Sequence, residues 1–350
     1  MSDEKKRILI VDDQEINRVI LAELFKEDYE VIEAENGEEA LRIINSGTAL
    51  SAIMLDLVMP VMDGMSVLIE LNRSGKIYHI PVFLITAADN MQMLTSAYNL
   101  GAVDIISKPF RMCFIKSRIN NIIELYRHRN ELEEVVTENI TKMKKLNNKI
   151  VEFLATLIEF RNCESGAHVK RIRKITKSLI TKLGELYPEY YLDKKAINKI
   201  GKASVLHDVG KIAIPDGILQ KPGALTEEEF EVMKAHTVKG CDILAEMPEN
   251  IIDEEVYRYS YDICRHHHER WDGKGYPDGL CGDEIPIWAQ AVAIADVFDA
   301  LTSPRVYKSA YDYDTAIKMI NDGECGQMNP KLLEAFNAIV DDIIEIHRGT

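Results

Sequence analysis

The sequence predicts two domains of different fold class that are joined by a long helix. In the first third of the chain, short β-type runs alternate with helical patterns, which is typical of a doubly wound α/β domain with a five-stranded parallel sheet. After Phe110 every strong periodic signal is helical. We therefore expect an α/β domain at residues 1–125, a connecting coiled-coil helix at 119–157 and an all-α domain at 150–350, which suits a length of 350 residues.

The bulk composition argues against several classes of protein. The net charge is −15, whereas broad binding to DNA or RNA needs a basic surface. No apolar stretch is long enough for a signal peptide or a membrane span. The six cysteines are scattered and read as reduced thiols. We expect a cytoplasmic protein that neither binds DNA nor inserts into a membrane.

Polar side chains stand at the ends of the predicted strands. The strands are expected at residues 8–11, 29–34, 52–56, 81–86 and 104–107. Asp12 and Asp13 follow the first strand, and Asp56 ends the third. Thr86 ends the fourth strand, and Lys108 follows the fifth. Because functional groups of such sheets gather at the carboxyl ends of the strands, we expect these five residues to converge on one edge.

Acids, a hydroxyl and a lysine in this pattern fit an aspartate that accepts a phosphoryl group. A carboxylate can form an acyl phosphate. Mg²⁺ prefers the oxygen ligands that an aspartate cluster offers. The hydroxyl of Thr86 and the ammonium of Lys108 could then sense the added oxygens. The dipeptide Lys108-Pro109 predicts a constrained turn, of a kind in which a cis peptide bond occurs.

These residues resemble the receiver domain of two-component response regulators, through the segments ILIVDD, MLDLVMPVMDG, FLITA and SKPF. The resemblance implies that Asp56 is the phosphoacceptor and that a cognate sensor histidine kinase is a partner. It implies further that Asp13 and Asp56 hold Mg²⁺, with Asp12 acting through water and the Val58 carbonyl assisting.

One position departs from the receiver pattern. Receivers often carry an aromatic residue three positions before the lysine, and this chain has Ile105. We therefore expect the effect of phosphorylation to reach the long helix through the face around the fourth helix and fifth strand. The alternative to control by phosphorylation is a receiver domain that dimerises without phosphate.

The connecting segment carries a heptad seam with two polar breaks, Arg129 and Asn139. The seam consists of Ile122, Leu125, Arg129, Leu132, Val136, Asn139, Met143, Leu146, Ile150, Phe153 and Leu157. It could pair two identical chains as a parallel coiled coil, or it could lie on its own protein as one amphipathic helix. We favour the homodimer because the seam covers at least four heptads.

The helical half concentrates the histidines. Most of the nine histidines of the chain fall there, several of them beside acids, and no thiolate belongs to the pattern. Nitrogen and oxygen donors on several helices indicate two or three metal ions of the hydrolytic kind. The candidates are Glu164, His168, His207, Asp208, His236, the run His266–His268, and Asp296.

The same half resembles the HD-GYP branch of the HD superfamily of metal phosphohydrolases. The matching segments are ESGAH, HDVGKIAIP, KPGALTEEEFEVMKAH, HHERWDGKGYP and AIADVFDALTSPRVYK. The resemblance implies as metal ligands Glu164, His168, His207, Asp208, His236, His267, His268 and Asp296. Asp208 would bridge two metals, Glu164 would allow a third, and His266 would be structural or lie behind the ligands. Iron or manganese is expected.

The resemblance also implies a substrate, cyclic di-GMP, opened to pGpG and then to GMP. A metal-activated water would attack phosphorus. Asp208 and Lys211 would take part at the reacting phosphate. Arg305 and Lys308 match phosphate- and base-contacting positions, and Tyr276 would contact a guanine. The surrounding loop contains Gly273, Gly275 and Pro277.

Three readings stay open for this half. The first is an active phosphodiesterase, controlled by phosphorylation of Asp56 through the long helix. The second is a sensor or scaffold that binds the dinucleotide without cleaving it. The third is a hydrolase of a related cyclic dinucleotide that contains adenine.

Overall fold

The computed structural model describes residues 6–87, 91–110, 112–161, 166–248, 251–304 and 310–350. The chain divides into two compact units, Met1–Ile140 and Thr141–Thr350. Among the described residues, no helix combines the length and the apolar character needed to cross a membrane.

The first unit contains the predicted five-stranded parallel sheet. The strands are β1 Arg7–Val11, β2 Glu30–Ala34, β3 Ala52–Asp56, β4 Val82–Thr86 and β5 Asp104–Ser107. Their order is β2-β1-β3-β4-β5, and every pairing is parallel. Strands β3 and β4 are buried along their whole length, as expected for continuous apolar runs inside a parallel sheet.

Helices cover both faces of this sheet. They are α1 Glu15–Phe25, α2 Gly37–Asn45, α3 Gly64–Arg73, α4 Met91–Asn99 and the start of α5 Met112–Arg161. Alternate side chains of β1 point to opposite faces. Leu9 packs in the core formed with α2, α3 and α4, whereas Ile10 packs with α1 and α5. Ile105 lies against the first of these cores.

Helix α5 is a single helix of 50 residues, and it includes residues 119–157, where the sequence predicts a connecting helix. Its first turns pack in the sheet domain, and Ala155 near its end packs in a core of the second unit. Between these ends the apolar seam residues are 46% to 66% exposed: Leu125, Leu132, Val136, Met143, Leu146, Ile150, Phe153 and Leu157. The described part of the chain therefore does not cover the seam.

The second unit is helical, as predicted. Its helices are α6 Gly166–Leu186, α7 Lys194–Ala203, α8 Asp216–Leu219, α9 Glu227–Lys234, α10 His236–Ala245, α11 Glu254–His266, α12 Ile287–Thr302, α13 Tyr313–Asn321, α14 Pro330–Ala338 and α15 Val340–Arg348. Helices α6 and α12 lie in the main core with α7, α11 and α14. Helix α12 is apolar on most of its surface because it is buried on most sides.

Three predicted helices are shorter in the structure. The pattern at 226–246 predicts one helix, but it divides at Ala235 into α9 and α10. The pattern at 330–347 also predicts one helix, but it divides at Ile339. The pattern at 194–207 predicts a helix of that length, but α7 ends at Ala203. The break at Ala235 matters for the site, because the Nδ1 of His236 lies 2.7 Å from the carbonyl oxygen of Met233 in the last turn of α9.

Local sequence explains several helix starts. The side chain of Thr226 accepts from the backbone N–H of Glu229, while the Glu229 carboxylate accepts from the N–H of Thr226, so α9 begins with a capping box. Asp253 caps α11 in the simpler way, by accepting from a backbone N–H of the first turn. These caps fix the first residues of α9 and α11, and His266 is the last residue of α11.

Candidate phosphoacceptor site and metal centre

The structure brings the predicted acids of the first unit together at the carboxyl edge of the sheet. Asp12, Asp13 and Asp56 each offer a carboxylate oxygen, and these atoms lie within 4.8 Å of one another. The Nζ atom of Lys108 donates to Asp12 Oδ2 at 2.9 Å and to Asp56 Oδ2 at 2.8 Å. Thr86 is buried at the end of β4, and its carbonyl accepts from the N–H of Lys108.

The backbone around Asp56 is held closely. The Lys108-Pro109 peptide bond is cis, in keeping with the constrained turn that the sequence predicts. Gly64 donates its N–H to Leu57, and a Cβ at Gly64 would collide with the carbonyl oxygen of Asp56. Val58 follows in the same loop with an exposed side chain.

Electrostatics at this site favour a cation. Burial raises the pKa of Asp56; the hydrogen bond from Lys108 opposes this, and the charge of Asp12 adds to the rise. Burial alone would lower the pKa of Lys108, but its hydrogen bonds to Asp56 and Asp12 raise it. A divalent ion beside the three acids would relieve their mutual repulsion.

In the second unit, the predicted metal ligands form two neighbouring groups. Within each group the candidate ligand atoms lie within 4.8 Å of one another. One group contains Asp208, His236, His267 and His268, and the other contains His168, His207 and Asp296. Glu164, which the sequence analysis adds to this set, lies outside the described residues.

Asp208 stands between the two groups. Its Oδ1 lies 3.2 Å from His236 Nε2 and 3.7 Å from His267 Nε2. Its Oδ2 lies 3.1 Å from His207 Nε2 and 2.6 Å from Lys211 Nζ. Since the two oxygens face different histidines, Asp208 has the geometry of a carboxylate that contacts two cations. Gly210 allows this loop to approach α10, because a Cβ there would collide with the carbonyl oxygen of His236.

Three of the histidines are oriented by backbone carbonyls. The Nδ1 of His207 lies 3.0 Å from the carbonyl oxygen of Ser204, and the Nδ1 of His236 lies 2.7 Å from that of Met233. The Nδ1 of His267 lies 2.9 Å from the carbonyl oxygen of Ile263. A carbonyl only accepts, so in each ring Nδ1 carries the proton and Nε2 bears a lone pair.

This arrangement fits divalent cations. The Nε2 atoms of His207, His236 and His267 are buried and make no hydrogen bond in the described part of the chain. Their lone pairs face the oxygens of Asp208, which is a repulsive arrangement unless a cation or a proton lies between them. Burial alone would lower the pKa of His207, but Asp208 raises it to about 9, so the ring would take up a proton where no metal was bound.

His168 is oriented differently, by a buried carboxylate. Its Nδ1 donates to Asp299 Oδ2 at 2.8 Å, and Arg171 donates to both oxygens of Asp299. Burial alone would raise the pKa of Asp299, but the hydrogen bonds from Arg171 and His168 hold it well below its usual range. Asp299 is therefore ionised, and it fixes the ring that presents His168 Nε2 toward Asp296 Oδ1, 3.9 Å away.

Comparison with known proteins places both units in families. A response regulator receiver domain family matches residues 8–120, and an HD domain family matches residues 152–332. The chain belongs to the HD-domain family and carries a receiver domain.

Two curated relatives match this two-domain chain over almost its whole length, and a third matches it over 60%. A cyclic di-GMP phosphodiesterase of Thermotoga maritima is 33% identical over 97% of this chain and 92% of its own. A cyclic di-GMP phosphodiesterase response regulator, RpfG, of Xanthomonas campestris is 33% identical over 94% of this chain and 86% of its own. A 3'3'-cGAMP-specific phosphodiesterase of Vibrio cholerae is 38% identical over 60% of this chain and 38% of its own.

Tyr276 of the HD domain forms an aromatic shelf beside the metal cluster. Its ring stacks on His268, with centroids 4.8 Å apart, and meets Phe230 edge to face at 6.2 Å. The Nζ of Lys234 lies 4.9 Å from the centroid of Phe230 and 5.7 Å from that of Tyr276. Phe230 is 43% exposed, and we call Phe230, Lys234 and Tyr276 the shelf residues.

Glu269 holds the loop that carries Tyr276. It is buried and accepts from the backbone N–H groups of Asp278, Gly279 and Leu280 at 2.7 to 3.1 Å. The loop lies tightly on its own chain: a Cβ at Gly275 would collide with the backbone of Glu269. The conformation of the loop combines a positive φ at Gly273 with a cis peptide bond before Pro277.

Arg305 and Lys308 lie outside the described residues. His266 is not in either ligand group; its Nε2 lies 3.1 Å from Asp278 Oδ2, which fits the structural role expected for it.

Sequence reasoning missed Asp299, Glu269 and the shelf residues Phe230 and Lys234. Glu269 follows the histidine run directly, and Asp299 lies one helical turn after Asp296. The helical spacing between Asp299 and the predicted ligand Asp296 was therefore a signal that could have identified Asp299.

Proposed function

We propose that this chain is a response regulator whose output is metal-dependent hydrolysis of cyclic di-GMP to pGpG, to GMP or to both. The observation that carries this proposal is the set of buried histidine lone pairs around Asp208. It occurs in a chain that is 33% identical, over nearly its whole length, to proteins named cyclic di-GMP phosphodiesterases.

The metal ligands in this proposal are the two groups joined by Asp208, with Glu164 as a further ligand. Two or three iron or manganese ions suit their nitrogen and oxygen donors. A bound cation would supply a Lewis acid and lower the pKa of the water it binds. Lys211, held 2.6 Å from Asp208, contributes positive charge where the phosphate gains negative charge.

The substrate contacts follow from the shelf. A guanine would lie on Tyr276 and Phe230, and the ammonium of Lys234 would approach a phosphate or the face of the base. We further propose that Arg305 and Lys308 contact the phosphates and bases of the substrate.

The first unit is proposed to be the switch. A sensor histidine kinase would supply the phosphoryl group to Asp56. Mg²⁺ would be held by Asp13 and Asp56, by Asp12 through water and by the Val58 carbonyl. Thr86 and Lys108 would bind the added phosphoryl oxygens.

A second copy of the chain is proposed to cover the exposed seam of α5. The seam is apolar, continuous and not covered by the described residues, and a parallel coiled coil buries such a seam. Replacement of Leu132 and Leu146 by lysine should yield a monomer in analytical ultracentrifugation. An unchanged dimer mass would contradict the seam as the interface.

The central experiment is an assay on protein purified without oxygen and supplied with iron or manganese. Cyclic di-GMP is followed by chromatography for the wild type, His207→Ala, Asp208→Ala and a control, His128→Ala, which changes an exposed histidine. We expect pGpG or GMP from the wild type and the control, and from neither of the other two variants. Intact substrate with bound metal would contradict the phosphodiesterase and favour a sensor.

A cyclic dinucleotide that contains adenine is the second candidate substrate. The similarity to a 3'3'-cGAMP-specific phosphodiesterase favours it, because that relative is 38% identical over 212 residues. Parallel assays with both dinucleotides decide between them, since the better substrate has the larger kcat/KM.

A further inference from the structure

Glu159 is a buried acid at the end of α5 that the expected ligand set does not include. Only 2% of its surface is exposed. Its Oε2 is buried and has no hydrogen-bond partner in the described part of the structure. Glu159, His168 and Asp208 each offer a ligand atom, and these atoms lie within 4.8 Å of one another.

An ionised carboxylate in this position needs a cation. An ionised carboxylate in an apolar interior is costly unless it is paired or binds a metal. Asp208 and Glu159 carry like charges, so their approach is unfavourable without positive charge between them. His168 cannot donate to Glu159 from Nδ1, because that atom is bonded to Asp299.

We propose that Glu159 is a carboxylate ligand of the third cation of the centre, together with His168 and Asp208; the single Nε2 lone pair of His168 would then serve this cation, and His207 and Asp296 would hold the neighbouring one. This inference rests on the proposed metal centre, but it does not depend on which nucleotide is the substrate. Asp208 would contact this cation in addition to the cation beside His236 and His267. Glu164, which the proposed function already includes, would be a separate ligand of the centre.

Binding of this cation by Glu159 would have a second consequence, because of where Glu159 lies in α5. The residue lies in the last turns of α5, the helix that starts in the receiver domain. Two residues later, Arg161 donates to the carbonyl oxygens of Ile212 at 2.6 Å and Ile214 at 2.8 Å, just after Lys211. The end of α5 would thus be attached to the metal centre through a ligand as well as through hydrogen bonds.

The test is the metal content of Glu159→Gln, an isosteric change that removes the charge. The full chain is loaded with Mn²⁺ without oxygen, dialysed and analysed by inductively coupled plasma mass spectrometry. Glu164→Gln is measured alongside. The matched control is Glu152→Gln, on the same helix two turns earlier, where the carboxylate pairs with Arg173.

We expect three Mn²⁺ per chain in the wild type and the control, and two in Glu159→Gln. If the wild type holds only two, or if Glu159→Gln holds as many as the wild type with equal affinity, the proposal is wrong. If the chain binds cations as expected but leaves cyclic di-GMP intact, the result contradicts the proposed function and not the ligand role of Glu159.

Thermal unfolding separates a ligand from a structural acid. As a ligand, Glu159 stabilises only the metal-loaded protein. Glu159→Gln should therefore lower the unfolding midpoint of the loaded chain and leave that of the chelated chain unchanged or higher. A midpoint lowered equally in both states would contradict the ligand role.

Discussion

Replacement of Asp299 by asparagine should weaken metal binding without removing a ligand. Asp299 is 2% exposed and accepts hydrogen bonds from His168 and Arg171. Asparagine keeps the size of the side chain but loses the charge and one acceptor oxygen. His168 would keep its place on α6 while its ring lost a fixed orientation and part of its basicity.

The expected magnitude has two parts. Loss of a partner that orients a metal-binding histidine lowers metal affinity about 10- to 100-fold, or about 1.4 to 2.8 kcal/mol. Arg171 would also remain buried without its counter-charge. Breaking a buried ion pair in this way costs about 3 kcal/mol, taken at the lower end of the usual range. For a unit of this size, that corresponds to a midpoint about 6 to 12 °C lower.

Metal affinity is measured by competition with a chelator of known affinity, and stability by calorimetry. Ser303→Ala is the control, because Ser303 accepts from Arg171 but does not contact His168 in the hydrogen bonds described. We expect the control to bind metal like the wild type. A folded Asp299→Asn variant with wild-type metal affinity would refute the orienting role of Asp299.

Four further outcomes are expected. Phe230→Ala should raise the KM for cyclic di-GMP about 5- to 150-fold, which is the value of one stacked base, whereas Phe230→Tyr should not; steady-state kinetics decide this. Glu269→Gln should destabilise the domain by about 1 to 3 kcal/mol, because one loop N–H loses its acceptor; denaturant unfolding measures the change. Asp56→Asn should take up no phosphate from acetyl phosphate in a mobility-shift gel, whereas a shift would place the phosphoacceptor elsewhere. Metal removal should lower the calorimetric midpoint of Thr141–Thr350, since metal at 100 times its Kd contributes about 2.7 kcal/mol; an unchanged midpoint would contradict bound metal.

The sequence was most informative where a signal is repeated or local. The strands of the sheet are continuous apolar runs that end in polar residues, so both their position and the convergence of Asp12, Asp56 and Lys108 could be predicted. The long helix was equally clear from its seam. Whether a second copy of the chain covers this seam is the subject of the proposal above, because a single chain does not reveal its partners.

The parts that could not be predicted depend on tertiary contacts. Glu159 belongs to a helix whose periodicity indicates a coiled coil, and only the packing of its last turns brings it beside His168. The division at Ala235 was hidden by helix-forming residues on both sides. It occurs where the ring of His236 bonds to the Met233 carbonyl, a contact that helix propensity does not describe.

The histidines that bond to backbone carbonyls have a consequence for how the centre assembles. His207, His236 and His267 each follow a helical turn, and each bonds a carbonyl three or four residues earlier. The orientation of each ring thus depends on a contact within its own turn and not on a distant part of the chain. His168 is different, because its partner is 131 residues away. The ring of His168 can therefore be oriented only when α6 and α12 have packed together, whereas each of the other three rings is oriented by its own turn.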